Sequence, residues 1–162
     1  DLGLGTTFKV YLPSAAAISK PAPSVMLMPT DIQSGAETVL VAEDESAVRR
    51  VLSKVLQQRG YRVIEASSGE EALKIARAMR SGEIDLLLTD MIMPVLGGRE
   101  LAHEFKALHP LAKILYTSGY AEDAALNGVM NPDSAFMRKP FNLTTVSQQV
   151  RDLLQAAPSN AA

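Results

Sequence analysis

Several polar residues stand directly after short apolar runs. Glu43 and Asp44 follow TVLVA, Asp90 follows LLLT, Thr117 and Ser118 follow KILY, and Lys139 and Pro140 follow AFMR. Taken singly, each has an ordinary explanation. Asp44 can cap a following helix, Asp90 and Thr117 can open turns, and Lys139 can be a solvated charge. Taken together they make a chemical set. If the runs before Glu43 and Asp90 are neighbouring strands, three carboxylates converge and raise one another's pKa unless a cation sits among them. With no cysteine and only two histidines in the chain, the donors are hard oxygens. That suits Mg²⁺, which keeps several waters and takes one or two carboxylates. Lys139 can bind a phosphoryl oxygen as a point charge, and Thr117 can donate to another. Such a set fits in-line phosphoryl transfer to a carboxylate, where positioning and charge neutralisation carry most of the catalysis.

These residues meet only if the runs that carry them are parallel strands, because ligands collect at the carboxyl ends of such strands, near the switch point of strand order. From Thr38 onward the chain alternates short apolar runs with amphipathic stretches. Strands are expected at Thr38–Glu43, Arg62–Glu65, Asp85–Thr89, Lys113–Tyr116 and Ala135–Arg138. The first helix has Val48, Val51, Leu52, Val55 and Leu56 as its core stripe and stops at Gly60. Ser68 and Glu71 have capping-box spacing for a helix to about Arg80, and Leu101, Phe105 and Leu108 mark a helix ending before Pro110. A short alanine-rich helix is expected after Gly119, and a last helix from Leu143 to Ala156 buries Val146, Val150 and Leu153. Five strand–helix repeats imply an α/β fold, a doubly wound five-stranded parallel sheet with helices on both faces.

Upstream, residues 1–13 read as a glycine turn and a short strand that needs partners outside the chain. Residues 14–37, with Pro21, Pro23 and Pro29, read as a linker. Residues 38–156 form the domain and 157–162 a tail. At 162 residues, 47% apolar and 21% charged, the chain has the composition of a globular protein. A net charge of −2 argues against binding nucleic acid through bulk charge. Disulfides and thiolate chemistry are excluded, and two histidines make a histidine-rich zinc site a poor reading. The runs Val39–Ala42 and Leu86–Leu88 are too short to cross a bilayer, and DLGLGTTFKV has no signal-peptide pattern. The chain opens on Asp1, not Met, and reads as a piece of something longer.

The motifs AED, LLLTDMIMP with Gly98, LYTSGY and FMRKPF, in that order, resemble the receiver domains of two-component signalling from about Thr38 to Gln155. The spacings match as well: 46 residues from Asp44 to Asp90, 27 more to Thr117 and 22 more to Lys139. The resemblance implies a flavodoxin-like strand order of 2-1-3-4-5 and Asp90 as the phosphoacceptor. It also implies Mg²⁺ bound by Asp44 and Asp90, with Glu43 acting through water and Ile92 offering its backbone carbonyl. Thr117 would be the switch hydroxyl, Phe136 the aromatic switch and Lys139 the partner of the phosphate, with a cis bond at Lys139–Pro140. Gly97 stands where Asp, Asn or Ser is common, and Phe136 lacks a tyrosine hydroxyl; local effects only are expected from either.

Gly3, Gly5, Thr6, Phe8, Leu12 and Pro13 are similar to the last strand of the ATP-binding domain of sensor histidine kinases. A glycine turn before any edge strand is the plainer alternative. The resemblance implies the C-terminal end of a hybrid histidine kinase, cytoplasmic in a parent that can be membrane-anchored. Its partners would be a phosphohistidine of that kinase and a downstream histidine phosphotransfer protein, with no nucleic acid and no membrane contact. The fragment itself should neither bind ATP nor autophosphorylate on histidine. His103 does not supply a phosphohistidine box, because Pro110 lies seven residues on, and HEFKA ends in Ala107 where a zinc motif needs histidine. Met91 and Met93 read as packing residues. Two other functions compete: a pseudo-receiver that acts as an interaction module, and an aspartate-nucleophile phosphatase. The second wants an acid where Ile92 stands.

Overall fold

The central strands are apolar on both sides, and that decides the architecture. The computed structural model describes Lys9 and residues 36–119 and 133–156. Strands β1 (Thr38–Ala42), β2 (Arg62–Ala66), β3 (Leu86–Asp90), β4 (Lys113–Ser118) and β5 (Ser134–Arg138) form one parallel sheet in the order β2-β1-β3-β4-β5. Every residue of β1, β3 and β4 is buried, as a strand covered on both faces requires.

Alternate side chains feed two cores. Leu40, Leu87, Ile114 and Tyr116 point to one face, where helices α2 (Gly69–Ala78) and α3 (Gly98–Leu108) cover them. Val39, Val41, Leu86, Leu88 and Leu115 point to the other, under α1 (Ser46–Gln58) and α4 (Leu143–Gln155). Local chemistry sets the helix ends. At the end of α1, Gly60 takes φ 89°, its N–H bonds the Gln57 carbonyl, and the Tyr61 N–H bonds the Leu56 carbonyl. This is a Schellman motif, and Tyr61 and Leu56 share the apolar cluster that accompanies it. The Ser68 hydroxyl accepts from the Glu71 N–H at 3.2 Å. The Glu71 carboxylate reaches one residue further back than a capping box would, to the Ser67 N–H at 2.7 Å. Asn142 Oδ1 caps α4 by accepting from the Thr145 N–H at 2.8 Å.

Some expectations shift. Val51 is 46% exposed, on one shoulder of the stripe made by Leu52, Val55 and Leu56. Ser53 is buried instead. Asp85 stays outside β3, since its carboxylate accepts from the Thr38 N–H at 2.7 Å. Helix α2 stops at Ala78, and the Arg80 N–H turns to the Glu83 carboxylate. The strand expected in 1–13, the linker through 35, the helix expected after Gly119 and the tail from 157 lie outside the described residues. Among the described residues no helix is long and apolar enough to cross a membrane.

His109 is 1% exposed, stacks on Phe105 at 5.0 Å and places Nε2 3.0 Å from the Ala76 carbonyl, joining α3 to α2. Phe105 is wholly buried at the centre of that layer. Phe105→Ala should cost about 3–5 kcal/mol, seen as a lower urea midpoint with an unchanged denaturant slope.

Candidate functional site

The register of the sheet sets the site. Ala42 pairs with Thr89, so the residues that follow, Glu43 and Asp90, leave neighbouring strands side by side. Asp90 in turn pairs with Thr117 on β4. Carboxylate oxygens of Glu43, Asp44 and Asp90 lie within 4.8 Å of one another. Lys139, just past β5, is anchored by its N–H on the Ser118 carbonyl at 2.7 Å. Its Nζ reaches Asp90 Oδ2 at 2.6 Å and Glu43 Oε2 at 2.8 Å. The bond from Lys139 to Pro140 is cis.

Two local constraints hold Asp90. The Ile92 N–H donates to Asp90 Oδ1 at 3.2 Å, although the Ile92 side chain is 58% exposed. Gly98 packs so tightly that a Cβ would run into the Asp90 carbonyl oxygen, while its N–H donates to the Met91 carbonyl at 3.1 Å. Gly97 is the N-cap of α3 and offers that helix no side-chain cap. Thr117 is fully buried, and among the described residues its hydroxyl makes one long bond of 3.4 Å to the Thr89 carbonyl. Phe136 is half-buried beside Tyr116, its register partner, on the α2–α3 face. Val95, exposed in the turn after β3, takes φ 68°.

Electrostatics follow from burial. Desolvation raises the Glu43 carboxyl above its ordinary 4.5, partly countered by the Lys139 hydrogen bond and charge, with Asp90 pushing the same way as burial. Burial also works against the Lys139 ammonium, yet its hydrogen bonds and charge pairing with Asp90 and Glu43 outweigh it and raise its pKa. The stabilisation from Lys139 is therefore in force through the neutral range and fades only above pH 10.5. Glu43 Oε1 is buried without a hydrogen-bond partner among the described residues. A buried carboxylate oxygen with nothing to bind, beside an exposed Asp44 and an all-oxygen donor set, fits a hard divalent cation such as Mg²⁺.

The structure thus brings together Glu43, Asp44, Asp90, Thr117 and Lys139, holds Ile92 on Asp90 through its N–H, and sets Phe136 on β5, with β3 and β4 between it and β1, beside Tyr116. Arg49, absent from the sequence-based set, also touches the site: its Nη1 donates to the Glu43 carbonyl at 2.6 Å. A cationic residue in the first turn of a helix runs against the helix dipole, and that oddity marks it in the sequence.

The family model for the response regulator receiver domain matches residues 39–151. Sensor kinase CckA of Brucella abortus is 40% identical over 96% of this chain, which spans 17% of that protein's length. The response regulator receiver protein CpdR of the same organism is 34% identical, covering 74% of this chain and 98% of its own. The crystal structure of the receiver domain from hybrid histidine kinase CckA superposes with a TM-score of 0.63 at 37% identity, over 73% of this chain and 99% of that one. TrrA of Thermotoga maritima, solved with Mg²⁺–BeF, gives 0.63 at 32%, over 72% and 98%.

Because the raised carboxyl holds its proton more tightly folded than unfolded, ionised Glu43 costs stability. That cost is absent well below pH 4.5 and complete once the pH passes the raised folded value. Glu43→Gln should therefore melt higher than wild type at pH 7 in metal-free buffer, with the gap closing below pH 4.5, as thermal melts at both pH values would show.

Proposed function

The chain belongs to the response regulator receiver domain family, and on that premise we propose that Asp90 accepts a phosphoryl group from a phosphohistidine in a two-component phosphorelay. The observation that carries this reading is Lys139 Nζ bridging Asp90 and Glu43 within a three-carboxylate cluster, with Thr117 in register beside Asp90. In the step proposed, an Asp90 carboxylate oxygen attacks phosphorus in line as the P–N bond to histidine breaks. The imidazole leaves with the bonding pair, and the phosphoryl oxygens keep their charge. Glu43, Asp44, Asp90 and the Ile92 carbonyl would hold Mg²⁺, which when bound neutralises charge on the phosphoryl oxygens. Glu43 acts there through water.

Lys139 already stands on Asp90 and pairs with a phosphoryl oxygen as it arrives. Thr117 loses little by leaving the long bond to Thr89 and donates to a second phosphoryl oxygen. That movement opens the room behind the strand into which the half-buried Phe136 ring follows, so that phosphate on Asp90 changes the surface at β5 and α4. The same residues support hydrolysis of the aspartyl-phosphate by an in-line water.

The match to a sensor kinase across 96% of the chain favours a hybrid histidine kinase as the parent protein. Residues 1–13 are then the last strand of its ATP-binding domain, 14–37 the tether and 157–162 a tail. The phosphohistidine of that parent would be the donor in the cytoplasm, and a histidine phosphotransfer protein the acceptor downstream.

Incubation of the chain with Mg²⁺ and acetyl phosphate should give a single phosphoryl adduct by intact-mass spectrometry, lost with EDTA and absent from Asp90→Asn. No adduct at any Mg²⁺ concentration would leave an interaction module that works without phosphorylation. Thr117→Ala should still be phosphorylated, but with smaller NMR shift changes over β5 and α4; shifts equal to wild type would sink the coupling.

A further inference from the structure

We propose that Arg49 is a positioning residue for the cation site, holding the turn that carries Glu43 and Asp44 so that their carboxylates are arranged before Mg²⁺ arrives. This rests on the reading of Glu43, Asp44 and Asp90 as its donors. Arg49 lies in the first turn of α1, with its N–H on the Glu45 carbonyl at 3.0 Å. The positive end of a helix disfavours a cation, and α1 has no acidic residue in that turn to offset it. The compensation comes from the turn before it. The side chain runs back toward the helix start, the usual direction of long helical side chains, and is only 16% exposed. Nη1 donates to the Glu43 carbonyl at 2.6 Å and lies 3.4 Å from that of Asp44, while Nε stands 3.5 Å from Glu65 Oε2 near the end of β2.

The Glu43 N–H meanwhile donates to the Ala66 carbonyl at 3.2 Å. Both peptide groups of Glu43 are thus fixed, one by the edge strand and one by Arg49. Asp44 is exposed, so the backbone on either side of it sets where its carboxylate stands. Only a planar fork reaches the turn's carbonyls and the Glu65 carboxylate at once; a lysine ammonium reaches one or the other. Without Arg49 the ion would have to order the turn itself, and the donors would bind more weakly.

The test titrates Mg²⁺ into the full 162-residue chain, reading amide chemical shifts, and follows phosphorylation by acetyl phosphate across Mg²⁺ concentrations. Arg49→Ala should weaken Mg²⁺ binding by about tenfold, the scale of losing a residue that orients metal ligands, with Arg49→Lys in between. Saturating Mg²⁺ should restore the phosphorylation rate of both, because the groups that touch the phosphoryl oxygens are untouched. Unchanged affinity in Arg49→Ala overturns the proposal, and so does a rate that stays low at saturating Mg²⁺, which a general loss of structure would give. Should Arg49→Ala not fold, wild-type affinity in Arg49→Lys overturns it. If wild type itself shows no Mg²⁺-dependent shifts, the function proposed above fails and takes this proposal with it; Mg²⁺ binding by wild type with normal affinity in both variants removes this proposal alone.

Discussion

Three carboxylates within 4.8 Å of one another repel, and the fold has to hold them there. One ammonium, Lys139, meets two of them, and it comes from β5, separated from β3 by β4 and from β1 by two strands. The strand order is therefore inseparable from the electrostatics. Glu43 is 1% exposed, and Lys139 is the cation that meets its charge. Burial of such a carboxylate is costly unless it is paired, and the raised Glu43 pKa shows that even pairing leaves part of the cost in place.

That residual cost goes with acceptor capacity that the protein leaves unused. A fully satisfied network of acids and lysine would have no free acceptor, and metal binding would have to break a complete set of hydrogen bonds. Here Glu43 Oε1 is buried with no partner among the described residues, and Asp44 faces solvent. The close approach of Gly98 to the Asp90 carbonyl fixes the third acid from behind, so the strain of holding like charges is met by backbone packing as well as by Lys139.

The sheet was largely legible in the sequence because its signal is local. Val39–Ala42 and Leu86–Leu88 are apolar on both faces, and the helix ends at Gly60 and Ser68 form through contacts three to five positions apart. The site acids, Thr117 and Lys139 were legible because each sits one step beyond such a run. What stayed hidden depends on partners distant in the chain. His109 bonds Ala76, 33 residues away, and Asp85 takes the Thr38 N–H, 47 residues away. Neither periodicity nor composition carries that information. Val51 misled for a different reason: an apolar residue on the shoulder of a stripe matches the helical period as well as one at its centre.

The two carriers of the charge pair share one layer of the fold. The Glu43–Asp44 turn runs into α1, Lys139 stands three residues before the cap of α4, and α1 and α4 pack together on one face of the sheet through Leu52, Leu56, Val146 and Val150. The α2–α3 layer contributes neither Glu43 nor Lys139. In a chimera between related chains, grafting the α1–α4 side with its flanking turns would transplant acid and lysine as a matched set. Grafting α2 and α3 would leave that match with the host, so the two faces of this sheet are unequal units of recombination.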